Sequence, residues 1–343
     1  MKSPALIYLI TRAHGLSTHL LIQDDYKTLI KSKDLISLVE YLLKSDYGSE
    51  ISKIPGERLN VSSLSQVIYS VLISRFYHLI NIAPSDVKKF LELYAERFII
   101  ENIKRILRAK HSSTKISSEA LIPIPREYAL INFPAMIESI TLQDSLELLK
   151  ATKYYQILDW LSLYRKYEII TILESALDKI YFEKIWKETD KLPDKRETKM
   201  IIGSEIDLRN INMILDLRAR DISPETILSV SFKPVRLRDE DINQMSRARF
   251  DTIPDILART PYQSLAQRLK EAIESKKLEK IDYIIADEIY NQIKTIMVRY
   301  PNSFSFVIGY LIMTEIEAHN LIALITAKEL GLKEDEIKEI LHT

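Results

Sequence analysis

The sequence carries the same set of landmarks three times, roughly 108 residues apart, and a chain built this way should fold as three related modules. The first landmark is Leu-x-x-(Ser/Thr)-x-Tyr. It occurs as Leu42, Ser45, Tyr47, then Leu149, Thr152, Tyr154, then Leu257, Thr260, Tyr262, at offsets of 107 and 108 residues. Such a string reads as a helix–turn–helix corner, with Leu closing one apolar face and the hydroxyl residue capping the next helix. In the third copy Pro261 follows Thr260 at the favoured first helical position, and Gln263 can complete a capping box. The second landmark is a Tyr within the next apolar helix: Tyr77, Tyr181 and Tyr290. The third is Asn-(Ile/Leu)-x-x-(Ile/Leu)-(Ile/Leu)-x-x-(Lys/Arg), beginning at Asn102, Asn210 and Asn320 and ending at Lys110, Arg218 and Lys328. Its apolar members at i, i+3 and i+4 make one buried helical stripe. A weaker echo pairs Ile122-Pro123-Ile124-Pro125 with Phe232-Lys233-Pro234-Val235. No 34- or 40-residue solenoid period competes with this long one. The boundaries fall near 118 and 228, which gives modules 1–118, 119–228 and 229–343.

Between the landmarks the apolar spacing is helical almost everywhere, and no alternating strand of useful length occurs. Long helices are predicted over 85–110, 197–220 and 302–331. The last should stop at Gly331, a left-handed cap, with Lys328 in the final turn where a cation suits the helix dipole. Shorter helices are predicted over 33–44, 62–80, 142–150, 153–165, 167–187, 252–259, 261–275 and 278–295. The class is all-α. Six glycines in 343 residues, against a usual ~7 %, leave little for phosphate loops or flexible linkers and favour stiffness. Three copies end to end imply a pseudo-threefold arrangement of long helices around a central depression.

With the repeats in view, the residues resemble the C subunit of archaeal A-type (V-type) rotary ATPases, the counterpart of the d subunit of eukaryotic V-ATPases. The resemblance spans essentially the whole chain. It is strongest at Glu205-Ile206-Asp207-Leu208-Arg209-Asn210-Ile211 and Glu315-Ile316-Glu317-Ala318-His319-Asn320-Leu321, followed by Ala327-Lys328 and Gly331. It implies a funnel of three helical domains, without catalysis or cofactor. That funnel sits on the cytoplasmic mouth of the membrane proteolipid ring and receives the central axle, built from the D and F subunits. The chain would then be cytoplasmic, held at the cell membrane through the complex, and would transmit torque for ATP synthesis or ATP-driven ion transport. A general helical scaffold without a motor is the alternative reading.

Partner-binding candidates are Glu205, Asp207, Arg209, Glu315, Glu317, Lys110, Arg218 and Lys328. Two readings stand for the acidic set: contact with a basic patch on the axle, or a solvated or internally paired helix face worth ~0–1 kcal/mol per pair. The first copy departs from the pattern, with Arg97 and Ile99 at the acidic positions, so any acidic grip is asymmetric. For Asn102, Asn210 and Asn320 the structural reading is preferred, because a buried amide needs a bonded neighbour. The basic triplet is read as serving helix ends, and the repeat tyrosines as core. Loops 119–128 and 229–241 are candidates for one rim.

Other classes fail on specifics. Neither G-x-x-x-x-G-K-(S/T), G-x-G-x-x-G nor H-E-x-x-H occurs, and the chain has no Cys for thiol or zinc-ribbon chemistry. His14 and His19 are badly spaced for one helical metal face. Asp24-Asp25 and Asp239-Glu240-Asp241 lack the one-turn spacing of Asp-rich magnesium sites. The balance of 48 basic and 48 acidic residues, and a short basic cluster (Arg105, Arg108, Lys110, Lys115) without interleaved aromatics, disfavour nucleic acid. No signal peptide is read at the N-terminus. The most apolar stretch, 304–313, is ended by Glu315 and Glu317, short of the ~20 residues of a membrane span.

Overall fold

The computed structural model describes residues 3–342, and every regular element among them is helical. The repeat is visible in the order of elements. Three times, short helices lead through a corner into a helix of about twenty residues and then a longer one. The pairs are Val61–Ile82 with Ser85–His111, Ile170–Thr189 with Lys195–Ala219, and Ile281–Arg299 with Phe304–Glu329. The longest, at 27 residues, extends roughly 40 Å at 1.5 Å per residue. Boundaries lie within a few residues of those predicted. Among the described residues seven α-helices escaped prediction: Pro4–Ser17, Gln23–Lys31, Gly48–Ile51, Phe133–Glu138, Pro224–Val230, Glu334–Lys338 and Asp239–Arg247. The last buries only Ile242 and Met245 as large apolar residues, too few to show a period.

The chain forms two compact units. One comprises residues up to Phe98, Ser117–Tyr128 and the chain from Ile293 onward. In it, Phe304–Glu329 packs along Val61–Ile82 and Pro4–Ser17. Phe304, Val307, Ile308 and Leu311 are buried on one side, and Leu72, Phe76 and Leu79 on the other. Phe304–Glu329 is also the one helix among the described residues long and apolar enough to cross a membrane, yet 67 % of its most apolar window is buried inside the fold. The second unit comprises Ile99–Ile116 and Ala129–Gln292. There Ile170–Thr189 packs on Lys195–Ala219, over a core that includes Ile172, Leu208, Ile211, Ile214, Leu257, Tyr262 and Leu265.

All three corners have one geometry. Ser45 Oγ donates to the Leu42 carbonyl (2.7 Å) and accepts from the Tyr47 amide (3.3 Å). Thr152 does the same with Leu149 (2.8 Å) and Tyr154 (3.1 Å). Thr260 repeats it with Leu257 (2.7 Å) and Tyr262 (3.2 Å). The hydroxyl thus closes the turn behind it. It is not the cap of the next helix, as the sequence suggested: Gln263–Glu274 starts after Tyr262, without a side-chain cap. A local Ser/Thr turn outcompetes the N-cap because the hydroxyl can bond its own preceding carbonyl at no cost in chain order. Leu42, Leu149 and Leu257 are fully buried, and the three corner tyrosines nearly so.

The long helices end alike as well. Ser113, Asp221 and Gly331 adopt left-handed φ of 54°, 53° and 69°. In each case the following amide reaches back five residues: Thr114 to Ala109 (2.8 Å), Ile222 to Leu217 (3.0 Å) and Leu332 to Ala327 (3.0 Å). This is the Schellman closure. Only the third copy places glycine where the backbone favours it. A Cβ on Gly331 would meet nothing within 4 Å, so the backbone penalty alone is at stake. Gly331→Ala should lower stability by about 1 kcal/mol and Asp221→Gly should raise it slightly, read from denaturant midpoints.

Candidate functional site

The acidic motif of the second long helix turns inward. Asp207 is fully buried. Its carboxylate accepts from the amides of Val235 (2.8 Å), Arg236 (2.7 Å) and Leu237 (3.0 Å), and from the Tyr262 hydroxyl (3.1 Å). Four donors and no acceptor require the ionised form. Burial pushes its pKa up, against the pull of those donors. Burial, and then the nearby Asp207 charge, push the Tyr262 hydroxyl well above the usual tyrosine range. The 235–237 loop can approach this closely because Gly203 lies under Val235, where a Cβ would come within 2.6 Å of a valine methyl.

Glu317, the matching residue of the third long helix, is 3 % exposed. It accepts from the Leu21 amide (2.5 Å), the Tyr47 hydroxyl (2.7 Å) and Arg75 (2.7 Å). Arg75 also meets Asp46 at 3.2 Å. Tyr47 is the first-copy counterpart of Tyr262. The same carboxylate–tyrosine tie therefore links the second copy to the third, and the third to the first across 270 residues. In the first copy Ile99, itself buried, occupies the position of Asp207 and Glu317.

The basic triplet follows the same rule. Lys110 donates to the carbonyls of Ile137 (2.6 Å) and Ser139. Lys328 donates to those of Ile30 and Ser32, both at 2.6 Å. Arg218 reaches the carbonyls of Ala248 and Ile222, both at 2.8 Å. Each cation thus bridges the end of one long helix to a helix end in the following copy, where unpaired carbonyls attract positive charge.

Two of the repeated asparagines tie to backbone 22 residues further on, Asn210 across the boundary into the third copy and Asn320 within its own. Asn210 donates to the Phe232 carbonyl (3.1 Å) and accepts from its amide (2.9 Å). Asn320 makes the same pair of bonds with His342, at 2.6 and 2.9 Å. Asn102 is buried, as are Tyr77, Tyr181 and Tyr290.

Of the remaining candidates, Glu205 is 5 % exposed. Glu315 faces Arg97 at 3.5 Å, and that guanidinium lies over the Tyr94 ring at 4.4 Å. The basic departure in the first copy is thus matched to an acid of the third. Arg209 is 47 % exposed, with Asp178 at 3.9 Å. Sequence reasoning passed over Arg75, although a lone arginine inside the apolar helix Val61–Ile82 was a visible signal. Among the described residues no cluster of His, Asp or Glu could hold a metal ion.

These inward-facing ties sit in a chain whose described residues form only helices and most of whose length matches one family. The chain belongs to the ATP synthase (C/AC39) subunit family, whose model matches residues 9–340. It is similar to the C subunit of the A-type ATP synthase of Methanocaldococcus jannaschii, 28 % identical over 331 residues, covering 93 % of this chain and 82 % of the relative. The C subunit of the Pyrococcus horikoshii A-type ATP synthase is 26 % identical, with coverage of 96 % and 88 %. That of Archaeoglobus fulgidus is 24 % identical, with coverage of 97 % and 95 %.

Proposed function

We propose that this chain is a non-catalytic central-stalk adaptor of a rotary A-type ATPase, coupling the D–F axle to the membrane proteolipid ring. The family match from residue 9 to residue 340 carries this reading. On it, the chain is peripheral, held at the cytoplasmic face through the complex. ATP hydrolysis elsewhere turns the axle, this chain passes the torque on, and the ring moves ions; in synthesis the flow reverses.

The three modules 1–118, 119–228 and 229–343 would close into a pseudo-threefold funnel. Three identical corners, three like helix endings and ties running from second copy to third and third to first support that closure. A torque-bearing part needs stiffness, and buried ties between copies supply it. Six of the eight charged candidates would then build the part. Arg209 and Glu315, whose side chains keep 47 % and 20 % exposure, would be the ones to meet a partner.

The test is reconstitution. Complexes lacking this chain should hydrolyse ATP in the soluble head but fail to pump ions into vesicles. Adding the chain should restore pumping, and unchanged pumping without it would sink the reading. Arg209→Glu with Glu315→Gln should weaken capture of the axle or the ring at least tenfold, about 1.4 kcal/mol, with the helical circular dichroism retained at the assay temperature. Equal capture of both would remove these two residues from the interface.

A further inference from the structure

The long helices are covered almost all round, and where they open they open at recurring positions. Between Phe90 and Lys110 only Arg108 is exposed, and between Glu197 and Arg218 only Arg209. Between Phe304 and Lys328 the exposed residues are His319 and Thr326. Aligned on the repeated Asn, His319 corresponds to Arg209 and Thr326 to Arg108. A helix covered on every side belongs to an interior, so a window kept at a fixed register is a feature of the repeat. In the second compact unit both windows are filled by arginine.

Both arginines rest on acids that lie deeper. Arg108 pairs with Glu174 and, at 3.2 Å, with Glu101. Arg209 faces Asp178 at 3.9 Å, and Asp178 also receives Lys104 at 2.5 Å. Arg105 joins Glu101 at 3.4 Å. The side chains of Arg108 and Arg209 are each 47 % exposed, against 17 % for Glu174 and 14 % for Asp178. The lattice is therefore graded, with carboxylates below and guanidinium groups on top. Its cations, Lys104, Arg105, Arg108 and Arg209, outnumber its carboxylates, Glu101, Glu174 and Asp178. Burial opposes the charge on Glu101, yet those four cations hold its carboxyl below the usual range, the mark of a positive local field.

We propose that Arg108 and Arg209 form a docking patch for an acidic segment of the axle, one that presents carboxylates. The proposal rests on the central-stalk role and deepens it. On that role the long helices would surround the axle, and Arg108 and Arg209 are points at which two of them reach solvent. The sign is the reverse of the acidic grip the sequence suggested: Asp207 and Glu317 turn inward, and the charge left outside at these windows is cationic. Arginine suits the task. Its planar fork takes a carboxylate through two parallel N–H bonds, and a fork already braced from below loses little freedom on binding. A lattice that served only to stiffen the fold would give no salt-dependent capture of a partner.

Titration of the purified D–F axle into the full chain tests this. Wild-type affinity should fall steeply with ionic strength, because the contact joins partly exposed charges. Arg108→Gln with Arg209→Gln should weaken axle binding at least twentyfold at low salt and flatten the salt dependence. Arg209→Gln alone leaves the pairs of Arg108 with Glu101 and Glu174 in place, and should weaken binding at least fivefold even if the double variant folds poorly. Arg108→Lys with Arg209→Lys keeps the charge and loses the fork, so it should bind more weakly but retain the salt dependence. Wild-type affinity and salt dependence in Arg209→Gln and in the double Gln variant would overturn the proposal, while the wild-type chain's own capture of the axle would leave the central-stalk role standing. Loss of ring capture with axle capture intact would overturn it as well, since the patch would then serve the other partner. A wild-type chain that captured neither axle nor ring would bring down the role itself, and the patch with it.

Discussion

Asp207→Asn should cost about 3–5 kcal/mol of stability, although it changes one atom. One of the two acceptor oxygens would become an NH2 donor. Turned one way it strands the Val235 amide; turned the other it faces the donors of Arg236, Leu237 and Tyr262. Either way a buried donor meets a donor. Urea unfolding would read the loss. Asp207 and Tyr262 share one bond, so Asp207→Asn with Tyr262→Phe should cost less than the sum of the singles. A loss under 1 kcal/mol for Asp207→Asn would mean that the 235–237 loop rearranges freely and that the tie is not a joint.

The second large effect is expected from Glu317→Gln. Arg75 would remain buried with only Asp46, about one third exposed and 3.2 Å away, as its counter-charge. Breaking a buried pair from one side costs on the order of 3–5 kcal/mol. The Leu21 amide reports the change locally: it donates to Glu317, so its hydrogen exchange should accelerate with the loss. Tyr47→Phe, which leaves the ion pair in place, should cost about 1–2 kcal/mol and leave Leu21 protected. Equal exchange in the two variants would show that the cluster opens as a single block.

Much of this was legible in the repeats. Leu42, Leu149 and Leu257 were readable as closing residues, since an apolar residue beside a turn has few other roles. Gly331 was readable as a helix end because only glycine takes its φ without strain. Ser113 and Asp221, in the same conformation, were not, because their side chains gave no sign of it. What repetition conceals is partnership. Three copies in register show which positions correspond, but they do not tell whether Asp207 meets Tyr154 of its own copy or Tyr262 of the next. Arg75 and the 235–237 amides stayed hidden for a related reason: they serve one copy each, and a search for recurring residues passes over whatever occurs once.

The unit that holds Glu317 and Arg75 has a consequence for synthesis. It needs the first 98 residues and those from Ile293 onward, whereas the other unit is complete at Gln292. A chain emerging from the ribosome can therefore finish the interior unit while its oldest residues still wait. During that interval Leu72, Phe76 and Leu79 lack the helix that covers them, and Arg75 lacks its carboxylate. The N-terminal third is thus the stretch for which a chaperone would have most to do, and release of the last fifty residues is the event that ends its exposure.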